Sequence, residues 1–181
     1  MLGRRARARA ARLLDDVVEA FRAAGYEEAG RPSPIEARLE PSGEGLPLRV
    51  AFVEQGRVFG GNLALEVASA DPVLPASAGG LVGRPRGAIR LRGVAFRPRG
   101  DGAAEQALAR SLSDDAALGE ALARVHFERV RVEPDGRPVI RHVGGSVVWI
   151  LFPPLVRAVP LVPEQAKATA AALEAFVRVS R

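Results

Sequence analysis

Two stretches of the chain carry apolar residues at helical spacing, one near each end. In residues 5–24 and again in residues 163–179, apolar side chains recur every three or four positions with charged side chains between them. This spacing predicts two amphipathic helices, each with one buried face. Gly25 and Pro163 stand where a helix end and a helix start are expected. The apolar stripes are Leu13, Leu14, Val17, Val18, Phe21 and Ala24 in the first stretch, and Ala166, Ala170, Leu173, Phe176 and Val177 in the second.

Strand-like alternation fills much of the remaining chain. Apolar and polar residues alternate in short runs separated by Gly, Pro, Asp and Ser, which is typical of strands joined by turns. Pro134-Asp135-Gly136 between two such runs predicts a hairpin closed by Glu133 and Arg137. Residues 146–152 are apolar after Ser146, which predicts a central strand covered on both faces. The predicted strands are residues 35–40, 48–54, 62–69, 88–97 with a bulge at Gly93, 126–133, 137–143 and 146–152.

Two further helices are predicted in the middle of the chain, over residues 102–111 and 113–125. Ser113, followed by two aspartates, makes a favourable N-cap and acidic first turn for the second of them. Residues 71–87, which precede this pair, are rich in Pro and Gly and are predicted to form a loop. Hairpins dominate the order of elements. We therefore predict an α+β fold, in which a mainly antiparallel sheet carries an N-terminal helix, a two-helix insertion and a C-terminal helix.

Composition limits the classes of protein that fit this chain. Its 181 residues fit a single domain spanning 1–181, and 48% hydrophobic with 26% charged residues is typical of a folded protein. Because there is no cysteine, disulfides, thiolate nucleophiles and cysteine-ligated metals are excluded. The longest apolar run, residues 147–152, is far shorter than the roughly 20 residues of a membrane span. No secretory signal is recognisable either, so we expect a cytoplasmic protein.

Charge is distributed unevenly along the chain. Arginine makes up 25 of the 26 basic residues, a bias that G- and C-rich codons largely explain. Residues 1–12 contain five arginines and residues 84–99 contain six, and neither stretch has an acidic residue; the remainder has 15 basic and 21 acidic residues, a net charge of −6. Because helix N-termini disfavour positive charge, residues 1–6 are expected to fray into a basic arm.

One face of the predicted sheet collects arginines and is a candidate surface for an anionic ligand or a nucleic acid. The predicted hairpin register places Arg129 opposite Arg141, and such like charges repel unless they are solvated or bind an anion. Few aromatic residues are present, which favours phosphate contact over base stacking. The alternative is a solvated arginine-rich face. The candidate anion-binding residues are Arg84, Arg86, Arg90, Arg92, Arg97, Arg129, Arg131 and Arg141, with Arg137 at the turn.

The other face of the same hairpin carries both histidines of the chain. The predicted register places Glu128 opposite His142, with His126 diagonal to His142. Imidazole and carboxylate groups at this spacing would bind a metal ion or relay protons. The alternative is an ordinary cross-strand polar pair.

No enzyme motif is recognisable. Gly144-Gly145-Ser146 lacks the glycine spacing of a nucleophile elbow, and neither a phosphate-binding loop nor a dinucleotide fingerprint occurs. We therefore predict no catalytic residue and no cofactor. Gly83-Arg84-Pro85-Arg86 resembles the core of an AT-hook, a motif that binds the DNA minor groove, but Val82 replaces its leading arginine; a proline-rich turn is the favoured interpretation.

The C-terminal half resembles a family of bacterial domains of unknown function. The resemblance rests on the acidic-capped helix, the Asp135-Gly136 hairpin, the apolar strand and the final helix, and it implies neither an activity nor functional residues. Three functions stay open, of which we expect the first. They are an accessory protein whose basic sheet surface binds an anionic ligand, a scaffold or self-associating module with an apolar surface at residues 155–162, and an enzyme with a pocket near the 126–142 hairpin.

Overall fold

Four helices and ten strands account for the described part of the chain, which in this computed structural model comprises residues 2–57, 60–76, 80–86, 93–150 and 155–179. In chain order the elements are α1 (Leu2–Arg22), β1 (Tyr26–Ser33), β2 (Glu36–Pro41), β3 (Leu48–Arg57), β4 (Gly60–Ser69), β5 (Leu81–Arg86), β6 (Gly93–Pro98), α2 (Ala103–Asp114), α3 (Ala116–Ala123), β7 (Phe127–Val132), β8 (Pro138–His142), β9 (Val147–Ile150), β10 (Leu155–Ala158) and α4 (Pro163–Val179).

The predicted α+β class is confirmed. The strand pairs are antiparallel, and helices stand at the start, in the middle as a pair, and at the end. The helices pack on one face of the sheet because their apolar stripes meet the apolar side of the strands. Phe21 of α1 and Phe176 of α4 are fully buried in one core with Val50 and Leu65 of the sheet. None of the described helices is long and apolar enough to cross a membrane.

The sheet forks at β4. Its strands follow the order β1-β2-β3-β4-β8-β7-β5-β6. One edge of β4 pairs with β3 along its whole length. The other edge is shared, because residues 66–68 pair with β8 whereas residues 60–63 pair with β9, which in turn pairs with β10. β4 is therefore the strand through which both branches of the sheet are joined.

Strand register determines which side chains lie on the sheet face away from the helices, here called the open face. Alternate residues of a strand share a face, so the residues between core positions lie on the open face. Two rows of cross-strand neighbours run over it. The first row is Arg38, Arg49, Ala68, Val139, Arg131, Val82 and Arg97, and the second row is Glu36, Ala51, Glu66, Arg141 and Arg129.

The prediction of a loop over residues 71–87 is wrong for part of that segment. Leu81–Arg86 form strand β5, which lies between β6 and β7. A turn over Gly83 to Arg86 is wrong for the same reason. Close packing explains why a glycine stands in this strand. A Cβ on Gly83 would lie 2.4 Å from Cγ1 of Val130 and 2.7 Å from Cγ1 of Val94, so neighbouring side chains already fill that space.

Several predicted boundaries also need correction. The first helix begins at Leu2 and Ala6 is fully buried, so residues 2–6 continue the helix instead of forming a frayed arm. Strands β1 and β10 were not predicted. Val148 of β9 is 39% exposed, so β9 is not covered on both faces. Of the strand predicted over residues 88–97, residues 87–92 lie outside the described part, and Gly93–Pro98 forms β6.

Ser113 does not cap the second middle helix as predicted. It lies in the last turn of α2, where its Oγ accepts a hydrogen bond from the Phe96 N–H at 2.8 Å. This bond satisfies a backbone donor of the edge strand β6. Asp115 caps α3 instead, since its Oδ1 accepts from the Leu118 N–H at 2.6 Å.

The packing at Gly83 makes a testable prediction. We expect Gly83→Ala to lower the free energy of unfolding by about 1–3 kcal/mol, because an added methyl group would displace branched side chains in a filled core. Gly30→Ala in β1 is the matched control, since a Cβ there has no neighbour within 4 Å. Urea unfolding followed by circular dichroism measures both variants. Equal stability of the two would contradict the packing assigned to Gly83.

Candidate functional site

A cavity of about 280 Å³ opens on the open face, beside the turn of the hairpin formed by β7 and β8. Its apolar lining comes mainly from three small or branched side chains, Ala51, Ala68 and Val139, which lie on β3, β4 and β8. The rest of the lining is charged, except for Pro134 at the turn. The charged lining residues are Arg49, Arg131, Arg137, Glu66, Glu133 and Asp135.

Gly136 holds the turn at the rim of this cavity in place. Glu133 and Arg137 close the turn as predicted, since the Glu133 N–H donates to the Arg137 carbonyl at 2.8 Å. The φ angle of Gly136 is +90°, and its carbonyl accepts from the Leu74 N–H at 3.1 Å. A Cβ at this position would lie 1.9 Å from the Leu74 carbonyl oxygen, so the turn docks on that segment only with glycine.

Glu66 forms the centre of a buried ion cluster on the open face. Its carboxylate accepts two parallel hydrogen bonds from Arg131, with Nη1–Oε1 at 2.8 Å and Nη2–Oε2 at 2.9 Å. Arg141 donates to Oε1 from Nη2 at 2.6 Å and from Nε at 2.9 Å. Arg131 is also bound through Nε to Glu133 at 2.6 Å. The side chains of Glu66, Arg131 and Arg141 are only 9%, 16% and 12% exposed.

The environment of Glu66 keeps it ionised. Burial alone would raise the pKa of the Glu66 carboxyl, but the hydrogen bonds and charges of Arg131 and Arg141 outweigh burial and hold that pKa below its usual range. For Arg131, burial acts to lower the pKa, and the carboxylates of Glu66 and Glu133 raise it overall. The Gln55 side-chain amide also lies against the Arg141 guanidinium and, with its oxygen turned towards it, accepts from Nη2 at 3.3 Å.

Unlike Arg131 and Arg141, Arg49 and Arg137 are each held by a carboxylate through Nε alone, so their Nη groups can still donate hydrogen bonds to a ligand. Arg49 donates from Nε to Glu36 at 2.7 Å, and Arg137 donates from Nε to Asp135 at 2.6 Å. Neither arginine makes a hydrogen bond from its Nη groups to any described residue. Both guanidinium groups thus line the cavity with two terminal nitrogens each that can bind a carboxylate or phosphate.

The predicted anion-binding arginines fall into three groups. Arg131 and Arg141 share the carboxylate of Glu66, and Arg131 also pairs with Glu133, so their charges are compensated within the fold. Arg84, Arg97 and Arg129 are exposed and have no ion pair within the described ranges. Arg86 belongs to β5, and Arg90 and Arg92 lie outside the described residues.

The two basic segments do not meet on one surface. Helix α1 packs on the covered face of the sheet through buried residues such as Ala6 and Ala10, and Arg5 and Arg9 are exposed on its other side. Arg97, in contrast, lies on the open face, by its pairing with Val82. A surface built from both segments is therefore excluded for the described arginines.

The predicted cluster of His126, Glu128 and His142 is not formed. A bulge between Phe127 and Arg129 shifts the register, so Phe127 and not Glu128 lies opposite His142, although Arg129 pairs with Arg141 as predicted. His142 is buried in the core, whereas His126 and Glu128 are exposed. Within the described ranges, no group of three His, Cys, Asp or Glu side chains could hold a metal ion.

His142 instead belongs to the contact between the sheet and α4. Thr169 donates its hydroxyl proton to the Gln165 carbonyl at 2.6 Å, so it accepts a hydrogen bond from Nε2–H of His142 at 3.1 Å. Nδ1 of His142 then carries no proton and has no partner among the described atoms. Burial, with a smaller effect of His126, lowers the pKa of His142 to about 4.

Part of the apolar surface expected at residues 155–162 is present. Val159 and Val162 are 39% and 48% exposed, and Val143 in a neighbouring loop is 61% exposed. The loops are joined by a hydrogen bond from the Val159 N–H to the Ser146 carbonyl at 2.9 Å. The cavity lies at the other end of the β7–β8 hairpin from His126, beside the turn.

Arg49 and Glu66 are the site residues that sequence reasoning missed. Glu66 is the one acidic residue of β4, and the other residues from 63 to 68 are all apolar, a pattern that could have drawn attention to it. Its partners stand 65 and 75 residues further along the chain, and no local pattern links them to it.

Comparison with known proteins identifies a family without assigning an activity. A family model described as "Protein of unknown function (DUF3156)" matches residues 19–180. No curated protein and no solved structure matches the chain.

Removal of the Glu66 charge should destabilise the fold strongly. We expect Glu66→Gln to lower the free energy of unfolding by about 3–5 kcal/mol, because the buried guanidinium of Arg141 loses its carboxylate partner and that of Arg131 keeps only Glu133. The control is Glu36→Gln, which breaks a pair whose arginine is 45% exposed and should cost less than about 1 kcal/mol. Urea unfolding at pH 7 measures both variants. Equal losses would show that burial of the Glu66 cluster is energetically unimportant.

Because of His142, the stability of the fold should decrease as the pH falls. The pKa of a histidine is about 6.5 in the unfolded chain and about 4 for His142 in the fold, so between these values the unfolded state binds more protons. The contribution of neutral His142 to the free energy of unfolding is complete above pH 6.5 and is lost as the pH falls towards 4. From pH 7 to pH 5 we expect a loss of about 2 kcal/mol. The measurement is urea unfolding at both pH values; an equal pH dependence in His142→Gln would contradict this assignment.

Proposed function

We propose that this chain, which belongs to the DUF3156 family of proteins of unknown function, binds a small anionic molecule in the cavity between Arg49, Arg131 and Arg137. The observation that carries the proposal is the state of Arg49 and Arg137. Both line one cavity, and each uses only Nε for its ion pair. Their terminal nitrogens are therefore available for two-point hydrogen bonding to a carboxylate or phosphate.

Ion pairing also prepares these arginines for a ligand. The carboxylates of Glu36 and Asp135 hold Arg49 and Arg137, which line the cavity together with Ala68 and Val139. A guanidinium that is already oriented loses less conformational freedom on binding. The hydrogen bond that Arg49 donates to the Glu36 carboxylate also raises the pKa of Arg49, which keeps its positive charge.

The size and lining of the cavity restrict the ligand. A volume of about 280 Å³ lies near the lower end of known small-molecule sites. The ligand we propose is accordingly a compact metabolite with one or two anionic groups and a short apolar part that contacts Ala51, Ala68 and Val139. We favour binding over catalysis, because each described carboxylate in the lining is hydrogen-bonded to an arginine and no base is placed beside a nucleophile.

Small anions provide the test of this proposal. Inorganic phosphate, succinate and citrate would be titrated against the protein while the thermal unfolding midpoint is followed, since a ligand that binds the folded state raises that midpoint. We expect at least one of them to stabilise the wild type in a concentration-dependent way. Because hydrogen bonds to charged groups are worth about 1.5–3 kcal/mol, Arg49→Gln and Arg137→Gln should each weaken binding roughly 10- to 100-fold.

The control variant is Arg97→Gln, which removes the same charge from the same sheet face outside the cavity. Its affinity for the stabilising anion should equal that of the wild type. Stabilisation that is equally weakened in Arg97→Gln would mean that general electrostatic attraction, and not the cavity, binds the anion. Stabilisation that persists unchanged in Arg49→Gln and Arg137→Gln would overturn the proposal.

A further inference from the structure

We propose that Arg84, Arg97 and Arg129, here called the outer arginines, form a second binding surface that contacts the phosphate backbone of double-stranded DNA. This surface does not depend on the cavity, since none of the three residues lines it. The inference rests on where the three strands place these side chains and on the absence of acidic partners near them.

Three adjacent strands bring the outer arginines together. β7, β5 and β6 are neighbours in the sheet and carry Arg129, Arg84 and Arg97 respectively. Arg97 pairs with Val82, which places it on the open face, and Arg84 lies two residues beyond Val82 on the same face. Arg129 lies on this face as the partner of Arg141. A strand spacing of about 4.8 Å and a rise of about 3.3 Å per residue put the Cα atoms of the outer arginines within about 12 Å of each other.

The outer arginines differ from their neighbours in having no counter-charge. All three are exposed, and none forms an ion pair within the residues that the structure describes. Arg131 and Arg141, one strand away or less, are bound to Glu66. Like charges this close repel one another unless an anion lies between them. A ligand with closely spaced negative charges would relieve that repulsion at all three positions.

Duplex DNA fits this surface better than a single strand does. A duplex carries one negative charge per about 1.7 Å of its axis, so three neighbouring arginines can each reach a phosphate. Surfaces that bind single strands add aromatic side chains on which the bases stack. The described side chains of the open face near the outer arginines are Val82, Ala95 and other arginines, without an aromatic ring. Contact with phosphates alone also implies binding without sequence preference.

Fluorescence anisotropy with a labelled 20-base-pair DNA tests the proposal. Each phosphate contact contributes about −0.9 to the slope of log K against log salt concentration, so three contacts predict a slope of about −2.7. Raising NaCl from 50 to 200 mM should then weaken binding about 40-fold. Arg84→Gln, Arg97→Gln and Arg129→Gln should each bring the slope to about −1.8 and weaken binding at 50 mM NaCl.

The matched controls are Arg5→Gln and Arg9→Gln, which remove the same charge from exposed arginines of α1 on the other side of the sheet. We expect their affinity and salt slope to match those of the wild type. Equal weakening in these controls would mean that net charge alone drives binding and would overturn the proposal. Tighter binding of a 20-nucleotide single strand, or binding to anionic phosphatidylglycerol vesicles but not to the duplex, would also overturn it.

Thermal unfolding of the variants separates binding from folding. Because each substitution removes a charge from a repulsive group, the unfolding midpoints of the outer-arginine variants should equal or exceed that of the wild type. Loss of DNA binding in a variant with an undiminished midpoint therefore supports a direct contact. Arg97→Gln should at the same time keep its affinity for the small anion of the cavity, so the two proposals fail or succeed separately.

Discussion

The rest of the structure depends on the carboxylate of Glu66. It lies on β4, the strand at which the sheet forks, and it binds arginines from β7 and β8. Strand β4 is thus joined to both strands of the β7–β8 hairpin, which lies far along the chain from it, on the face that no described helix covers. The guanidinium groups of Arg131 and Arg141 are too buried to be solvated by water alone. Without this acid, Arg141 would have no carboxylate partner among the described residues, and Arg131 would keep only Glu133, in a site of low polarity.

Glu66 also divides the arginine-rich face into regions with different chemistry. Near it the charges are compensated, because Arg131 and Arg141 are bound to Glu66 and Arg131 also to Glu133. At the turn, Arg49 and Arg137 are each fixed through one nitrogen and line a small cavity. Towards the edge strand β6, the outer arginines have no acid beside them among the described residues. The arginines of this face therefore fall into three groups with different counter-charges, and we propose a separate binding surface for the second and the third group.

Much of the fold could be predicted because it follows from local patterns. Helical periodicity located α1 and α4, and the Asp135-Gly136 turn set the pairing of Arg129 with Arg141. Strand β5 was missed because its Gly and Pro are typical of loops, whereas Gly83 is required there by the side chains that pack against it. Strand β1 was missed because it is an edge strand with mainly exposed residues and no alternation.

The candidate site was less predictable, because its partners are distant in sequence. The arginines of the hairpin were identified from strand alternation, but nothing local shows that Glu66 neutralises two of them. The histidine cluster was predicted wrongly because of a one-residue bulge at Glu128. The predicted register holds for Arg129 and Arg141, but at the next pair Phe127 and not Glu128 lies opposite His142. Periodicity predicts which face a side chain occupies, whereas the pairing of charges depends on which strands become neighbours.

Nitrogen-15 NMR of the arginine side chains tests most directly whether the open face is divided in this way. Rotation about the Cζ–Nη and Nε–Cζ bonds slows when a guanidinium is held by several hydrogen bonds. We expect separate, slowly exchanging Nη signals for Arg131 and Arg141, and averaged signals for Arg84, Arg97 and Arg129 in the free protein. Averaged signals for Arg131 and Arg141, as fast in exchange as those of Arg97, would contradict it.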